Sequence, residues 1–268
     1  MTKNKHSFRG RRGPTQDSER RPPSAAGAGV WLYGLHSVEA ALANPLRRCR
    51  RLLLTAEAER THGPRLRAAR KDGPPGTVVE RDVIERMLPG AIHQGIALEA
   101  DALPDLGIED LCEMAKAQPD ICLVILDQVT DPHNVGAVLR SADAFGAAAV
   151  VVPERHAPTA TSALAKAASG ALERVSLVRV TNLARAMVAL KQAGMWFIGL
   201  DAQAKTLLKD ADLSGRIALV LGAEGEGLRR LTRESCDHLA LIPINRQIGS
   251  LNVSNAAAIA LYEWTRRR

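Results

Sequence analysis

Three short stretches of this chain concentrate the residue types that could do chemistry. The first, "DPHNVGAVLR", carries Asn134 and Arg140; the second, "LGAEGEGLRRL", carries Gly222, Glu224 and Glu226; the third, "IGSLNVSNAAA", carries Ser250, Leu251 and Asn252. Arginine offers a planar fork of donors that suits a phosphate or a developing oxyanion. Gly136 lies four residues before Arg140, on the same helical face, where it would let something approach the backbone. The glycine loop fits neither standard phosphate signature. Gly222, Gly225 and Gly227 give G-x-x-G-x-G rather than G-x-G-x-x-G, and no G-K-[ST] follows. Its two carboxylates oppose a pyrophosphate and suit a cationic or hydroxyl-rich ligand. In the third stretch Ser250 is the expected helix N-cap, with Asn252, Ser254 and Asn255 crowded into the first turn. Each stretch also has a plain reading: a surface arginine, a turn built on positive-φ glycines, and a simple cap.

What gives the three stretches a common meaning is the element before each. "ICLVILD", "RIALVLG" and "LALIPI" are apolar runs of strand length, and open parallel sheets bind ligands beyond the carboxyl ends of their strands. Around them strands alternate with helices: "AAVVVP", "SLVRV" and "MWFIGLD" as strands, with helices over Asn134–Phe145, Thr159–Leu172, Leu183–Ala193 and Leu251–Arg266. That order predicts an α/β fold with a mostly parallel sheet and helices on both faces. Upstream, residues 30–100 read as a small α/β unit. Residues 101–118, with Pro104 and Gly107, suit a linker, and residues 119–268 form the second domain.

Charge separates the two ends. The formal net charge is +7 over 268 residues. Residues 1–29 hold seven Lys/Arg against two Asp/Glu in a Pro/Gly/Ser-rich context, the signature of a disordered basic arm. A second basic cluster spans residues 46–71, and together they point to a polyanion, nucleic acid above all. The four cysteines lack C-x-x-C spacing and read as reduced packing residues of a cytoplasmic protein, with no metal. No apolar run approaches the length of a membrane span.

Taken in order, "DPHNVGAVLRSADAFG", "LVLGAEGEGL" and "IPI" with "SLNVSNAAAIAL" resemble the three motifs of the SpoU family of RNA ribose 2′-O-methyltransferases, within the SPOUT class of S-adenosylmethionine enzymes. "YGLHSVEAAL" and "HQGIAL" resemble the RNA-binding domain of the subgroup that methylates a guanosine of large-subunit ribosomal RNA. The resemblance implies a deep trefoil knot, a homodimer and S-adenosylmethionine as methyl donor. It implies cofactor contacts at Gly222, Ile242 and Leu251, and catalytic or RNA-positioning roles for Asn134, Arg140, Glu224, Ser250 and Asn252. In that setting Arg140 would hold RNA and stabilise the developing alkoxide, oriented by Asn134, Ser250 and Asn252, with Glu224 pairing with Arg140 or with RNA. The alternatives are a transfer-RNA or ribosomal-adenosine ribose methyltransferase, and a non-catalytic RNA-binding or ribosome-assembly factor on the same fold.

Overall fold

A computed structural model of the chain describes residues 29–70, 73–155, 162–245 and 249–268. The expected basic arm therefore lies, but for Gly29, outside the described residues. The N-terminal unit comprises β1 (Val30–Tyr33), α1 (Leu35–Ala43), β2 (Cys49–Leu54), α2 (Ala56–Ala69), β3 (Gly76–Val78), α3 (Arg81–Met87) and β4 (Ile96–Ala100). Its sheet runs β1-β4-β2-β3, antiparallel about β4 and parallel between β2 and β3. Thr55 caps α2 by accepting the Ala58 N–H at 3.2 Å.

The second unit contains α4 (Ile108–Ala117), β5 (Ile121–Leu126), α5 (Pro132–Phe145), β6 (Ala149–Pro153), α6 (Ser162–Ala167), β7 (Ser176–Val180), α7 (Leu183–Gln192), β8 (Trp196–Leu200), β9 (Thr206–Leu207), β10 (Arg216–Leu221), α8 (Arg230–Glu234), β11 (His238–Leu241) and α9 (Val253–Arg266). Seven strands pair in parallel in the order β7-β6-β5-β10-β8-β11-β9. Alternate residues of β5 serve opposite faces. Cys122, Val124 and Leu126 join the core under α5 and α9, and Ile121, Leu123 and Ile125 join the core under α4 and α7. The stretch read as a linker thus contributes α4, whose Leu111 and Ala115 are fully buried in the second of these cores.

The topology matters for function because β10, late in the chain, lies between β5 and β8. Leu221 pairs with Leu126, so the loops that follow β5 and β10 leave the sheet side by side.

Two expectations need correction. The Ala-rich helix is shorter than Thr159–Leu172. Its first residues fall outside the described ones, and it stops at Ala167, before Ser169 (φ 49°) and Gly170 (φ 88°) and a 3-10 turn at Ala171–Glu173. The cause is tertiary. A side chain at Gly170 would sit 2.6 Å from the Ala40 Cβ and 3.0 Å from the His36 carbonyl. The chain turns there because the N-terminal unit is seated on it. Ser37 donates to the Ala165 carbonyl at 3.2 Å, and Arg47 makes a two-pronged pair with Glu173 (2.5 and 3.1 Å), to which Asn44 adds a bond at 2.8 Å. Both charged side chains are almost wholly buried. Such a pair is weak evidence for stability, but removing one partner alone leaves an uncompensated buried charge.

The second correction concerns Gly136. It does not open to solvent; it is buried beneath α6, where an added Cβ would overlap Ala167. A free helix gains about 1 kcal/mol from Gly→Ala, whereas overpacking costs about 1–3 kcal/mol. Gly136→Ala should therefore lower the urea unfolding midpoint, and a raised midpoint would show that α6 does not sit tightly on α5.

Candidate active site

The site gathers at the carboxyl ends of β5, β10 and β11. Helix α5 starts there because Asp131 accepts the His133 N–H at 2.9 Å and Pro132 occupies the first turn. That start places Asn134 in the opening turn, half-buried. The loop after β10 turns back on itself, with the Gly227 N–H donating to the Ala223 carbonyl at 2.9 Å. Gly225 (φ 80°) and Gly227 (φ 71°) take the left-handed conformation that the turn requires. Gly222 has a different reason: a Cβ there would run into the Gly227 carbonyl, so glycine is needed for the loop to close on itself.

At the third segment the expected cap is displaced by two residues. Asn252, not Ser250, caps α9, its Oδ1 accepting from the Ser254 N–H at 2.9 Å and the Asn255 N–H at 3.4 Å. Ser250 lies exposed on the rim of the neighbouring cavity.

These segments meet on one oxygen. Glu224 Oε1 accepts from the Asn252 amide at 2.5 Å, the Asn134 amide at 3.2 Å and the Val253 N–H at 3.3 Å. The Asn252 amide also reaches Asn134 Oδ1 at 3.0 Å. Bonds to a charged acceptor are the stronger kind, though Glu224 is exposed and solvent weakens them.

Arg140 does not join this cluster. Six residues beyond Asn134 means about 9 Å along the helix and a face turned roughly 120° away. It is exposed, with no polar partner among the described residues. The expected Glu224–Arg140 pairing is absent among them, and the two asparagine amides serve Glu224 rather than orienting Arg140.

Beside the cluster lies a cavity between the loops after β8, β10 and β11. Gly222, Ile242 and Leu251 all line it, with Leu200, Ile244 and Val253 giving it apolar walls. The three residues expected to share a ligand thus share a cavity.

The sequence reading missed Asp127. This carboxylate at the end of β5 is fully buried, and accepts from the Arg229 N–H at 3.1 Å and Nε at 2.8 Å, with Nη2 at 2.5 Å. It anchors the far end of the glycine loop to β5. A buried aspartate at the end of an all-apolar strand was the available signal, because such a charge requires a partner. Gln128, next in line, is held at φ 60°, a left-handed conformation that non-glycine residues rarely adopt.

Burial raises all four cysteine thiols, that of Cys236 to about 12, so each stays protonated at neutral pH. Among the described residues no group of His, Cys, Asp or Glu could hold a metal ion, and no helix is long and apolar enough to cross a membrane.

Asp127→Asn puts an amide against the Arg229 N–H and removes bonds to a charged acceptor, which are worth about 1.5–3 kcal/mol each. Amide hydrogen exchange across residues 222–229 should accelerate about tenfold or more, with strand β7 unchanged; an unaltered loop would show that Asp127 does not hold it.

Comparison with known proteins bears on the same segments. The SpoU rRNA Methylase family model matches residues 122–262, and the model for RNA 2′-O ribose methyltransferase substrate binding matches residues 31–106. The chain is 41% identical over 238 residues to the 23S rRNA (guanosine-2′-O-)-methyltransferase RlmB of Vibrio cholerae, covering 88% of this chain and 96% of that one. It is 40% identical to the enzyme of the same name from Escherichia coli, covering 88% and 98%. The SpoU methyltransferase AviRb of Streptomyces viridochromogenes, solved in complex with AdoMet, superposes with a TM-score of 0.74 at 25% identity over 90% of this chain and 91% of that one.

Proposed function

This chain belongs to the SpoU rRNA methylase family, and on that basis we propose that it methylates the ribose 2′-oxygen of a guanosine in 23S ribosomal RNA, with S-adenosylmethionine as methyl donor. The observation that carries the reading is the junction of Asn134, Glu224 and Asn252 beside the cavity lined by Gly222, Ile242 and Leu251.

The residues suit that donor. It bears no phosphate, so a glycine loop with two carboxylates does not repel it, and the apolar walls of Ile242, Ile244 and Leu251 suit its adenosine part. When bound it supplies an electrophilic methyl group on sulfur; the protein's tasks are to hold the ribose in line and to ease loss of its proton.

Arg140 is the residue we assign to the RNA. A guanidinium offers donors and no acceptor, so Arg140 serves as a donor to phosphate and to the developing alkoxide rather than as a base. Its exposure, with no polar partner among the described residues, leaves it open to that use. Glu224 and Asn252 fix the wall against which the ribose rests, Asn134 ties that wall to α5, and Ser250 stands at the rim.

We further infer a homodimer. Ile259 and Tyr262 of α9 are 41% and 55% exposed, and Tyr262 meets Phe145 of α5 edge-on, an apolar face across two packed helices. The trefoil knot belongs to the same reading: β10 inserts between β5 and β8, and the segment after β11 returns to the loop after β10. A cytoplasmic location, with the ribosomal substrate, completes it.

The test is transfer of labelled methyl to a 23S rRNA fragment. Arg140→Ala should lower kcat by about 10²-fold or more, the scale of losing one transition-state donor, and leave donor affinity unchanged. Arg140→Lys should recover little, because a point charge does not reproduce the fork. Near-full activity in Arg140→Lys would refute this role.

A further inference from the structure

The seam between the two units carries a feature that the junction does not use. Gln94 sits at φ 56°. Its neighbours impose that conformation. Buried His93 accepts the Gly95 N–H at 3.0 Å through Nδ1, the Gly95 carbonyl accepts the Thr55 N–H at 2.9 Å, and the His93 carbonyl accepts the Ile96 N–H at 3.0 Å. Glycine or asparagine would fill such a position with less strain. What glutamine brings is its long amide. Its Oε1 accepts the Leu35 N–H at 3.4 Å, while its two N–H donors have no partner among the described residues and the side chain is exposed.

Across the seam stands Lys166 of α6. Its ammonium donates to the Ile92 carbonyl at 2.9 Å and lies 5.2 Å from the centre of the Tyr33 ring, with its two other N–H donors unpartnered among the described residues. Ile92 itself is 72% exposed, an apolar surface beside two sets of donors. This cluster is close to the catalytic helix, because Ala167, next to Lys166, packs directly on Gly136, two residues from Asn134.

We propose that Gln94 and Lys166 form a nucleotide subsite for an unpaired residue of the substrate RNA that flanks the methylated one. Lys166 takes the phosphate. The Gln94 amide donates to an acceptor on the base edge, such as O6 or N7 of a guanine, and Ile92 packs against the base. Unpaired RNA is read in this way, by donors to splayed base edges together with charge on the backbone. The subsite belongs half to each domain, so it also explains why the domains are locked by the buried Arg47–Glu173 pair. The proposal rests on the methyltransferase reading.

The test uses the full chain and a 23S rRNA fragment that it methylates. Gln94→Gly keeps the left-handed backbone while removing the side chain, and relief of strain there offsets loss of the long, exposed bond to the Leu35 N–H. It should weaken RNA binding about five- to tenfold, raise KM for RNA similarly, and leave the donor Kd and the thermal midpoint no worse than in the wild type. Lys166→Met should lessen the slope of log affinity against log salt by about 0.7, the share of one single-strand phosphate, while Gln94→Gly leaves that slope alone. RNA affinity within twofold of wild type in Gln94→Gly, or an unchanged slope in Lys166→Met, overturns the subsite. If wild type methylates the fragment while these variants match it, only the subsite fails. If wild type neither binds nor methylates ribosomal RNA, the functional reading fails with it.

Discussion

One carboxylate oxygen organises this protein's site. Glu224 Oε1 takes donors from α5 and from the cap and first residue of α9, so that segments leaving the sheet at β5, β10 and β11 meet on it. Each segment alone is a loop or a helix start with its own local reason to exist. Their common meeting point makes them a wall. It also sets a requirement on the loop after β10, which must bring Glu224 back over the sheet within a few residues. The left-handed glycines Gly225 and Gly227, and the close approach at Gly222, meet that requirement.

The other end of the same loop is held from below. Asp127 is one residue beyond the β5–β10 register, and it grips Arg229 by both backbone and side chain. The glycine loop is therefore pinned at Glu224 and again at Arg229, and its Gly222, Gly225 and Gly227 line the cavity. A charge-bearing residue with zero exposure is affordable here only because Arg229 neutralises it and donates to both oxygens. The held conformation of Gln128 next to it is consistent with a strand end shaped for the site rather than for backbone comfort.

Much of this was legible in the residues. The strands of the second unit were readable because a parallel sheet covered on both faces demands unbroken apolar runs, and the three polar segments were readable because each follows such a run. The α5 start was readable from Asp131 and Pro132. Local rules failed where long-range contact decided the outcome. Gly170 ends an Ala-rich helix because Ala40 and His36 from the other unit press against it, and Gly136 serves packing under Ala167 rather than a ligand. Asn252 takes the cap from Ser250 because Glu224 holds its amide, a contact 28 residues away that periodicity cannot show. The family resemblance sets Arg140 with Asn134, Glu224 and Asn252, while six residues of helix place it on another face of α5 from Asn134.

The central claim is that the Glu224 junction builds a ribose-methylating site. It is tested most directly by mapping ribose methylation across ribosomal and transfer RNA in cells that carry either the wild-type protein or Glu224→Ala at equal abundance. The account predicts that one guanosine of 23S rRNA, methylated with the wild-type chain, loses its 2′-O-methyl group in the variant while every other site is unchanged. An identical map in the two strains would contradict it.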